Sequence, residues 1–405
     1  MSIIFSVGIL ALCCLVVWRE TRSMVDVAAI TANAVSTTSR SDAEEPWQPS
    51  VPPIHTCRIE NGTVAIPTSA PRFVIIGAQK AGTSSLFRYL LDHPDAVPTR
   101  NWSTKNSTEV HFFDNKFPWG ERKWFDSDED FHCHVRRVYV QTQYDYPALL
   151  ADASNNTNGS NDAGTGRLFS FEKTPRYITD ARRLPRLLRQ ILPWMDRVVV
   201  SLRNPVDRAY SHYNFDRRLG FNKRRGSSLA DGFHEMVEEE ILQMVRAGLL
   251  NATTLSWNSN LDAAQEAAAF ETIRLTKLGR GLYAIQLRQW LEQYPLRDIF
   301  VAKFEDLRQN EESARKVFGR LLHFLGLRMY AVSDQLFRKH NAYKYDVPMH
   351  NETRHILQEL YRSQNQRLGG ILGKEWDCVW DCCEESIGRD TRDAISPIRK
   401  EITER

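Results

Sequence analysis

The sequence predicts an α/β domain of three layers, in which helices cover both faces of a central, mainly parallel sheet. Four short apolar runs lack the polar–apolar alternation of half-exposed strands, as buried parallel strands do. Helical patterns separate these runs, and strands that alternate with helices favour a parallel sheet. A glycine-rich turn joins the first run to a helix, in the manner of a P-loop. The predicted strands are Phe73–Ile76, Leu168–Phe171, Arg197–Leu202 and Ile299–Phe304.

Three segments show helical periodicity most clearly. They run from Leu86 to Leu91, from Tyr283 to Tyr294 and from Val317 to Leu325, and they stop at Pro94, Pro295 and Gly326. In such open sheets ligands bind at the carboxyl ends of the strands. We therefore expect the turn after the first strand to lie at a binding edge.

The chain has 405 residues, enough for one large or two ordinary domains. Its formal net charge of +3 hardly constrains the partners. The basic residues are unevenly placed, with arginine-rich clusters at 182–189 and 217–225. Each cluster is either a solvated face or a surface that guides a polyanionic substrate.

The segment Ser2–Trp18 is almost wholly apolar and uncharged. We interpret it as a membrane signal-anchor, with a cleaved signal peptide as the alternative. Arg19 and Arg22 follow it, so the positive-inside rule does not support a lumenal C-terminus. Glycosylation sequons favour the lumen and are given more weight; they begin at Asn61, Asn101, Asn106, Asn155, Asn158, Asn251 and Asn351.

The domain prediction has four parts. Residues 1–22 form the membrane segment, 23–71 a Ser-, Thr- and Pro-rich stem, 72–385 the globular domain and 386–405 a polar tail. An Asn- and Gly-rich surface loop interrupts the domain at Ala151–Gly166. Five cysteines outside the membrane segment predict disulfides in an oxidising lumen, with connectivity left open.

The loop after the first strand resembles a Walker A motif but departs from it. Gly77 and Gly82 have the Walker A separation, yet Lys80 lies inside the loop and Thr83 follows Gly82. The pattern predicts a site for a phosphate-like anion. This site is not expected to bind ATP in the usual way.

A second motif follows the third predicted strand. Arg203 stands at the end of that strand, Asn204 is a good N-cap and Pro205 suits the first helical position. Asp207 lies three residues after Asn204, so the start of the helix resembles a capping box. Ser211 lies two turns into the helix. Arginine offers a fork of donors that matches phosphate, and serine can add a hydroxyl. The alternative is that Arg203 pairs with Asp207 and Ser211 only packs.

Together these two segments resemble the sulfotransferases that use 3′-phosphoadenosine 5′-phosphosulfate. The resemblance implies the sulfotransferase fold. It also implies that the first loop holds the 5′-phosphosulfate and that Arg203 and Ser211 hold the 3′-phosphate. The loop residues concerned are Lys80, Ala81, Gly82, Thr83, Ser84 and Ser85.

Further motifs are similar to the Golgi glycosaminoglycan-type branch of that family. They are Glu109–Asp114, Phe171–Tyr177 and Gly281–Leu327. The segment Asn341–Tyr345 looks most like chondroitin N-acetylgalactosamine-4-sulfate 6-O-sulfotransferases and suggests that Lys344 contacts the 3′-phosphate. The likeness covers roughly residues 72 to 376. It implies a single-pass type II Golgi membrane enzyme with an anionic polysaccharide acceptor, no metal and no nucleic-acid partner.

The resemblance also implies catalytic roles. Glu109 would be the general base for the acceptor hydroxyl, and Lys80 would stabilise the leaving group. Lys173 could hold Glu109, the sulfate or the acceptor. His111 is a rival base, because an extended 109–113 segment would point residues 109 and 111 to the same side.

Two other functions remain open from the sequence. A nucleotide-dependent kinase would need magnesium ligands, and no strand-ending aspartate resembles Walker B. A non-catalytic glycan-binding relative would keep the fold, but the joint presence of Lys80, Glu109, Arg203 and Ser211 counts against it.

Overall fold

The structure is a computed structural model. It describes residues 56–59, 62–65, 71–97, 109–143, 169–221, 228–251, 256–258, 263–337 and 347–380. The strands within these ranges are β1 (Thr56–Ile59), β2 (Gly62–Ala65), β3 (Phe73–Gly77), β4 (Ala96–Val97), β5 (Phe169–Lys173), β6 (Arg197–Leu202) and β7 (Ile299–Lys303).

The helices surround these strands and vary from one turn to six. They are α1 (Thr83–Leu91), α2 (Asp128–Gln143), α3 (Leu184–Ile191), α4 (Pro205–Arg218), α5 (Leu229–Arg246), α6 (Ala263–Leu275), α7 (Tyr283–Leu291), α8 (Asp306–Gln309), α9 (Glu311–Phe324), α10 (Asp334–Phe337) and α11 (Asn351–Leu372).

Five strands form one parallel sheet in the order β4-β5-β3-β6-β7. The central strand β3 pairs Ile75 with Lys173 of β5 on one side and with Val199 of β6 on the other. The loop after β3 therefore lies between the carboxyl ends of β5 and β6. The four predicted strands and the parallel sheet are confirmed, with ends that differ by one or two residues; Leu168 lies outside the described residues.

Helices pack on both faces of the sheet, so the three-layer architecture is confirmed. Strand alternation sends Phe73 and Ile75 into a core with α1 and α9, and sends Val74 and Ile76 into a core with α2, α3 and α7. A further apolar cluster joins α4, α5, α6 and α11 beside the sheet. The three predicted helical segments correspond to α1, α7 and α9.

Two small features did not follow from the sequence patterns. The strands β1 and β2 form an antiparallel hairpin within the segment predicted to be the stem, and β1 contacts α2. The two-residue strand β4 extends the sheet beside β5. Both are too short for periodicity to reveal.

Several predictions concern residues that the structure does not describe. They are the membrane segment 1–22, the loop Ala151–Gly166, Lys344 and the tail 386–405. Among the helices that are described, none has the length and apolar character needed to cross a membrane.

Candidate active site

The loop between β3 and α1 adopts a conformation that depends on glycine. Gly82 has a φ of 83° and precedes α1 directly. A Cβ added to Gly82 would lie 2.8 Å from Cδ2 of Phe304, which follows β7. Lys80 also has a positive φ, of 69°, although it carries a side chain. Left-handed backbone at a non-glycine residue is uncommon and concentrates at functional sites.

The neighbouring strand β6 holds this loop. The Ala78 N–H donates to the Ser201 carbonyl at 2.7 Å, and the Ser201 hydroxyl donates to the Ala81 carbonyl at 2.6 Å. Ser201 is fully buried. The register between β3 and β6 thus fixes the loop at both ends of its turn.

Two arginines hold the middle of the loop. Nη1 of Arg203 donates to the Lys80 carbonyl at 3.2 Å, and Nη1 of Arg280 donates to Oε1 of Gln79 at 2.7 Å. Both guanidinium groups stand at the same edge as the loop. A site rich in positive charge suits an anionic ligand.

Lys80 itself is partly desolvated. Its Nζ lies 4.0 Å from the centre of the Phe215 ring. Burial, and then the positive charges of Arg218 and Arg203, lower the pKa of Lys80 from 10.5 to about 8. A cation in such surroundings lacks water and gains from a bound anion.

The strand–helix junction at Arg203 follows the predicted capping pattern in part. The Asn204 side chain accepts from the Val206 N–H at 3.0 Å, and α4 begins at Pro205. Asp207 neither caps the helix nor pairs with Arg203, and accepts instead from Arg354 of α11 at 3.0 Å. The alternative in which Arg203 pairs with Asp207 is therefore wrong.

Arg203 stacks beside the loop. Its guanidinium carbon lies 4.7 Å from the centre of the Phe304 ring, and its carbonyl accepts from the Tyr283 hydroxyl at 2.9 Å. Ser211 is buried in α4, Thr83 is buried at the start of α1, and Ser84 and Ser85 are half-buried. The structure does not describe Lys344.

Three side chains from two segments meet at the carboxyl end of β5. Nζ of Lys173 lies 3.3 Å from Oε1 of Glu109, and Nε2 of His111 lies 2.9 Å from Oε2 of the same carboxylate. Lys173 is fully buried, while about a third of the Glu109 side chain is exposed. Of the three roles that the sequence left to Lys173, the geometry supports contact with Glu109.

The segment after Glu109 was expected to be extended, but the structure shows that it is not. His111 has a φ of 53°, and a π-helical turn runs over Phe112–Lys116. This turn brings Asp114 back to His111, whose Nδ1 lies 2.9 Å from Oδ2 of Asp114. The expected meeting of residues 109 and 111 occurs, but through a left-handed residue instead of strand alternation.

The charged groups in this cluster shift one another's pKa values. Burial tends to raise the pKa of Glu109, but the hydrogen bond with His111 and the charge of Lys173 outweigh it, and the net pKa is lowered. Hydrogen bonds with Asp114 and then Glu109 raise the pKa of His111 to about 9. Burial lowers the pKa of Lys173, against the attraction of Glu109. At neutral pH Glu109 is thus an anion beside the protonated His111.

A buried network beneath this cluster was missed by the sequence interpretation. Thr174 accepts from the His111 N–H at 3.0 Å, and the Tyr177 hydroxyl accepts from the Phe113 N–H at 3.0 Å. Glu172 is fully buried; it accepts from Thr174 at 3.2 Å and also from the Tyr139 hydroxyl. Burial raises the pKa of Glu172 to about 7. These contacts fix the backbone that carries the candidate base.

Asp114 and Thr174 could have been found from the sequence. Both lie inside the two motifs quoted above, three residues after His111 and one after Lys173. Tyr139 gives no such signal, because it comes from α2, far along the chain. Within the described ranges no group of three or more histidine, cysteine or acidic residues has a metal-binding arrangement.

Comparisons with known proteins give one family. The sulfotransferase domain model matches residues 70–347. "Membrane-associated sulfotransferase kil1" of Dictyostelium discoideum is 22% identical over 76% of this chain and 66% of its own length. "Carbohydrate sulfotransferase 15" of Homo sapiens is 28% identical, covering 75% of this chain and 54% of its own length.

A third relative has two activities in its name. "Bifunctional heparan sulfate N-deacetylase/N-sulfotransferase 2" of Bos taurus is 24% identical over 75% of this chain and 30% of its own length. The chain thus spans from less than a third to about two thirds of the length of these relatives. The family model covers more than half of the chain, and with the parallel sheet and the loop after β3 it leads to one conclusion: the chain belongs to the family of sulfotransferase domains.

Proposed function

We propose that this protein transfers a sulfuryl group from 3′-phosphoadenosine 5′-phosphosulfate to a hydroxyl group of a glycan. The acceptor is a glycosaminoglycan-like polysaccharide, with the chondroitin N-acetylgalactosamine-4-sulfate branch as the nearest model. One observation carries the proposal: the strand order β5-β3-β6 brings the carboxylate held by Lys173 and His111 to the same sheet edge as the β3–α1 loop that carries Lys80. Glu109, as the base for the acceptor hydroxyl, and Lys80, as the cation that binds the donor, would then act on the same transfer of the sulfuryl group.

The role of each residue follows from its charge. Glu109 takes the proton of the acceptor hydroxyl as its oxygen attacks sulfur in line. The bond from sulfur to the 5′-phosphate oxygen breaks, and Lys80 and Arg203 neutralise the charge that grows on the leaving 3′,5′-bisphosphate. By analogy with phosphoryl transfer, positioning and electrostatic stabilisation supply most of the rate.

The electrostatics support Glu109 over His111 as the base. A histidine with a pKa of about 9 carries its proton at neutral pH and cannot accept another. Glu109 is ionised there, and a bound phosphosulfate anion would raise its pKa toward that of a useful base. His111 instead orients Glu109, and Asp114 orients His111.

The donor loop supports a phosphosulfate over a triphosphate. Lys80 lies within the loop, and Arg203 stands where a magnesium-binding aspartate of a kinase would be expected. Ser211, the serine and threonine residues of the loop, and Lys344 complete the proposed donor site. Sulfotransferase domains appear in relatives named for glycan substrates, which supports a carbohydrate acceptor.

The test is sulfate transfer from labelled donor to a panel of glycans by the wild-type chain, Glu109→Gln and Lys80→Ala. We expect Glu109→Gln to lose roughly 10²–10⁴-fold in kcat, the usual worth of general base catalysis, with donor affinity nearly unchanged. Lys80→Ala should weaken both donor binding and kcat.

The acceptors include matched oligosaccharides with N-acetyl groups and with free amino groups, because one relative is named as an N-sulfotransferase. Linkage analysis of the product identifies the sulfated atom. Transfer to nitrogen alone would overturn the hydroxyl assignment, and full activity of Glu109→Gln would remove Glu109 as the base.

A further inference from the structure

A cleft of about 460 Å³ lies beside the candidate active site and has no role in the scheme above. It is lined by the loop before α3 and by α6. Its charged and aromatic lining residues are Asp180, Arg182, Arg183, Phe270, Glu271 and Arg274. Three guanidinium groups thus converge on one cavity.

Two of these arginines are already ion-paired. Nε of Arg183 donates to Asp180 at 3.0 Å, and Nε of Arg274 donates to Glu271 at 2.9 Å. About a third of each arginine side chain remains exposed. Such paired arginines retain outward-facing donors.

The third arginine is different. Arg182 is exposed, and its guanidinium carbon lies 5.6 Å from the centre of the Phe270 ring. Within the part of the chain that the structure describes, no carboxylate forms an ion pair with it. The cleft therefore keeps one positive charge that internal acids do not neutralise, next to an apolar ring.

One wall of the cleft contacts the segment that follows Glu109. Nη2 of Arg183 donates to the Phe113 carbonyl at 3.3 Å, two residues from His111. Glu271, then Asp180 and Asp114, help raise the pKa of Arg274. The cleft is thus joined by a direct hydrogen bond to the segment that carries the candidate base.

The loop before α3 also packs against the turn that follows β3. A Cβ added to Gly77 would lie 2.5 Å from Cγ2 of Ile178, and the cleft lining begins at the next residue, Thr179. The cleft thus adjoins the sheet edge that carries the β3–α1 loop.

We propose that this cleft is an acceptor subsite that binds an anionic group, a sulfate ester or a carboxylate, on a sugar next to the one that is modified. The inference rests on the proposed function. Arg182 and Arg274 hold the anion by charge-assisted hydrogen bonds, and the Phe270 ring packs against the apolar face of the sugar.

The experiment measures equilibrium binding of chondroitin hexasaccharides to the full chain without donor. Four forms of one backbone serve as probes: neutral after carboxyl reduction, carboxylate only, sulfate only, and both. Arg182→Gln is compared with Glu271→Gln, which removes an acid from the same cleft. Arg186→Gln is the matched control, because Arg186 is exposed on α3 but does not line the cleft.

We expect Arg182→Gln to weaken binding of anionic forms by about tenfold and to leave the neutral form unchanged. Glu271→Gln should tighten binding of the anionic forms, and Arg186→Gln should have no effect. Binding of adenosine 3′,5′-bisphosphate should be the same in all variants, which checks the fold. The form that is most sensitive to Arg182→Gln tells whether sulfate or carboxylate occupies the cleft.

Equal binding by wild type and Arg182→Gln, or equal losses for neutral and anionic forms, would overturn the subsite. So would a wild-type chain that binds none of the four forms. If sulfate transfer occurs without this charge dependence, the proposed function stands and the subsite fails. If the charge dependence appears but no glycan is sulfated, the subsite stands and the proposed function fails.

Discussion

At the scale of single residues, Glu109 owes its state to its two neighbours. A lone half-buried carboxylate would tend to hold its proton, because burial disfavours charge. Lys173 at 3.3 Å and His111 at 2.9 Å reverse that tendency. The same arrangement keeps His111 protonated, since it stands between Glu109 and Asp114. From the sequence, Glu109 and His111 were alternative candidates for the general base. In the structure Glu109 is ionised and can accept a proton, whereas His111 already carries one.

Lys80 gives a pH-dependent prediction. Its pKa lies near 8 in the free protein, so the side chain is mostly charged at pH 7 and loses its charge as the pH rises through 8. Affinity for adenosine 3′,5′-bisphosphate should be flat from pH 7 to 8 and then fall by up to about tenfold per pH unit. Calorimetric titrations between pH 7 and 10 measure this.

The Lys80→Gln variant is the control for that measurement. It should bind the bisphosphate more weakly, and its affinity should no longer start to fall (the break) near pH 8, because the titrating group is gone. A break that persists in Lys80→Gln, or one that appears only near 10.5 in the wild type, would contradict the assignment.

At the scale of elements, the β3–α1 loop is positioned by the strands on either side of it. The parallel order β5-β3-β6 brings Lys173, the loop and Arg203 to one edge. Ser201 and Arg203 then bind the loop carbonyls at Ala81 and Lys80. The loop is thus part of the sheet edge, and its shape depends on packing as well as on its own sequence.

Gly82→Ala tests how far packing shapes the loop. Gly82 and Gly220 have similar positive φ values, of 83° and 89°, but only the Cβ at Gly82 would meet a neighbour, Phe304. Gly220→Ala should cost about 1–2 kcal/mol from backbone strain alone. Gly82→Ala should cost a further ~1–3 kcal/mol from the steric overlap.

Thermal unfolding of both variants measures the difference, and bisphosphate binding shows its consequence. We expect a lower Tm for Gly82→Ala than for Gly220→Ala, and weaker binding only for Gly82→Ala. Equal losses of stability with unchanged binding in both variants would mean that Phe304 does not constrain the loop.

At the scale of the whole molecule, the described domain divides into two cores on the faces of the sheet and a third beside it. The candidate site lies where elements from these regions meet at one sheet edge. We further propose that the domain is lumenal, held by the N-terminal segment in the Golgi membrane. Its support is the number of sequons, with Asn351 exposed at the start of α11.

Glycosylation tests this topology. Expressed in animal cells, the chain should be in the membrane fraction, protected from added protease and reduced in mass by an N-glycosidase. Asn351→Gln should remove one glycan without changing the fraction in which the chain appears. An unmodified chain that added protease digests in intact vesicles would contradict the lumenal orientation.

The sequence by itself determined the four main strands, three of the helices, the β3–α1 turn and the Asn204 cap, because each depends on local periodicity or local hydrogen bonding. It also predicted Glu109, His111 and Lys173 as candidate site residues. Only the tertiary structure decided their relation. A left-handed His111 and a π-helical turn bring Asp114 into the cluster, and Tyr139 of α2 reaches Glu172, the neighbour of Lys173 on β5, in the buried network below it. The cleft around Arg182 was likewise beyond the sequence, which showed an arginine-rich run but not that α6 lies opposite to it. Side-chain charge states and cavities depend on which segments pack together, and no spacing along a single chain specifies that.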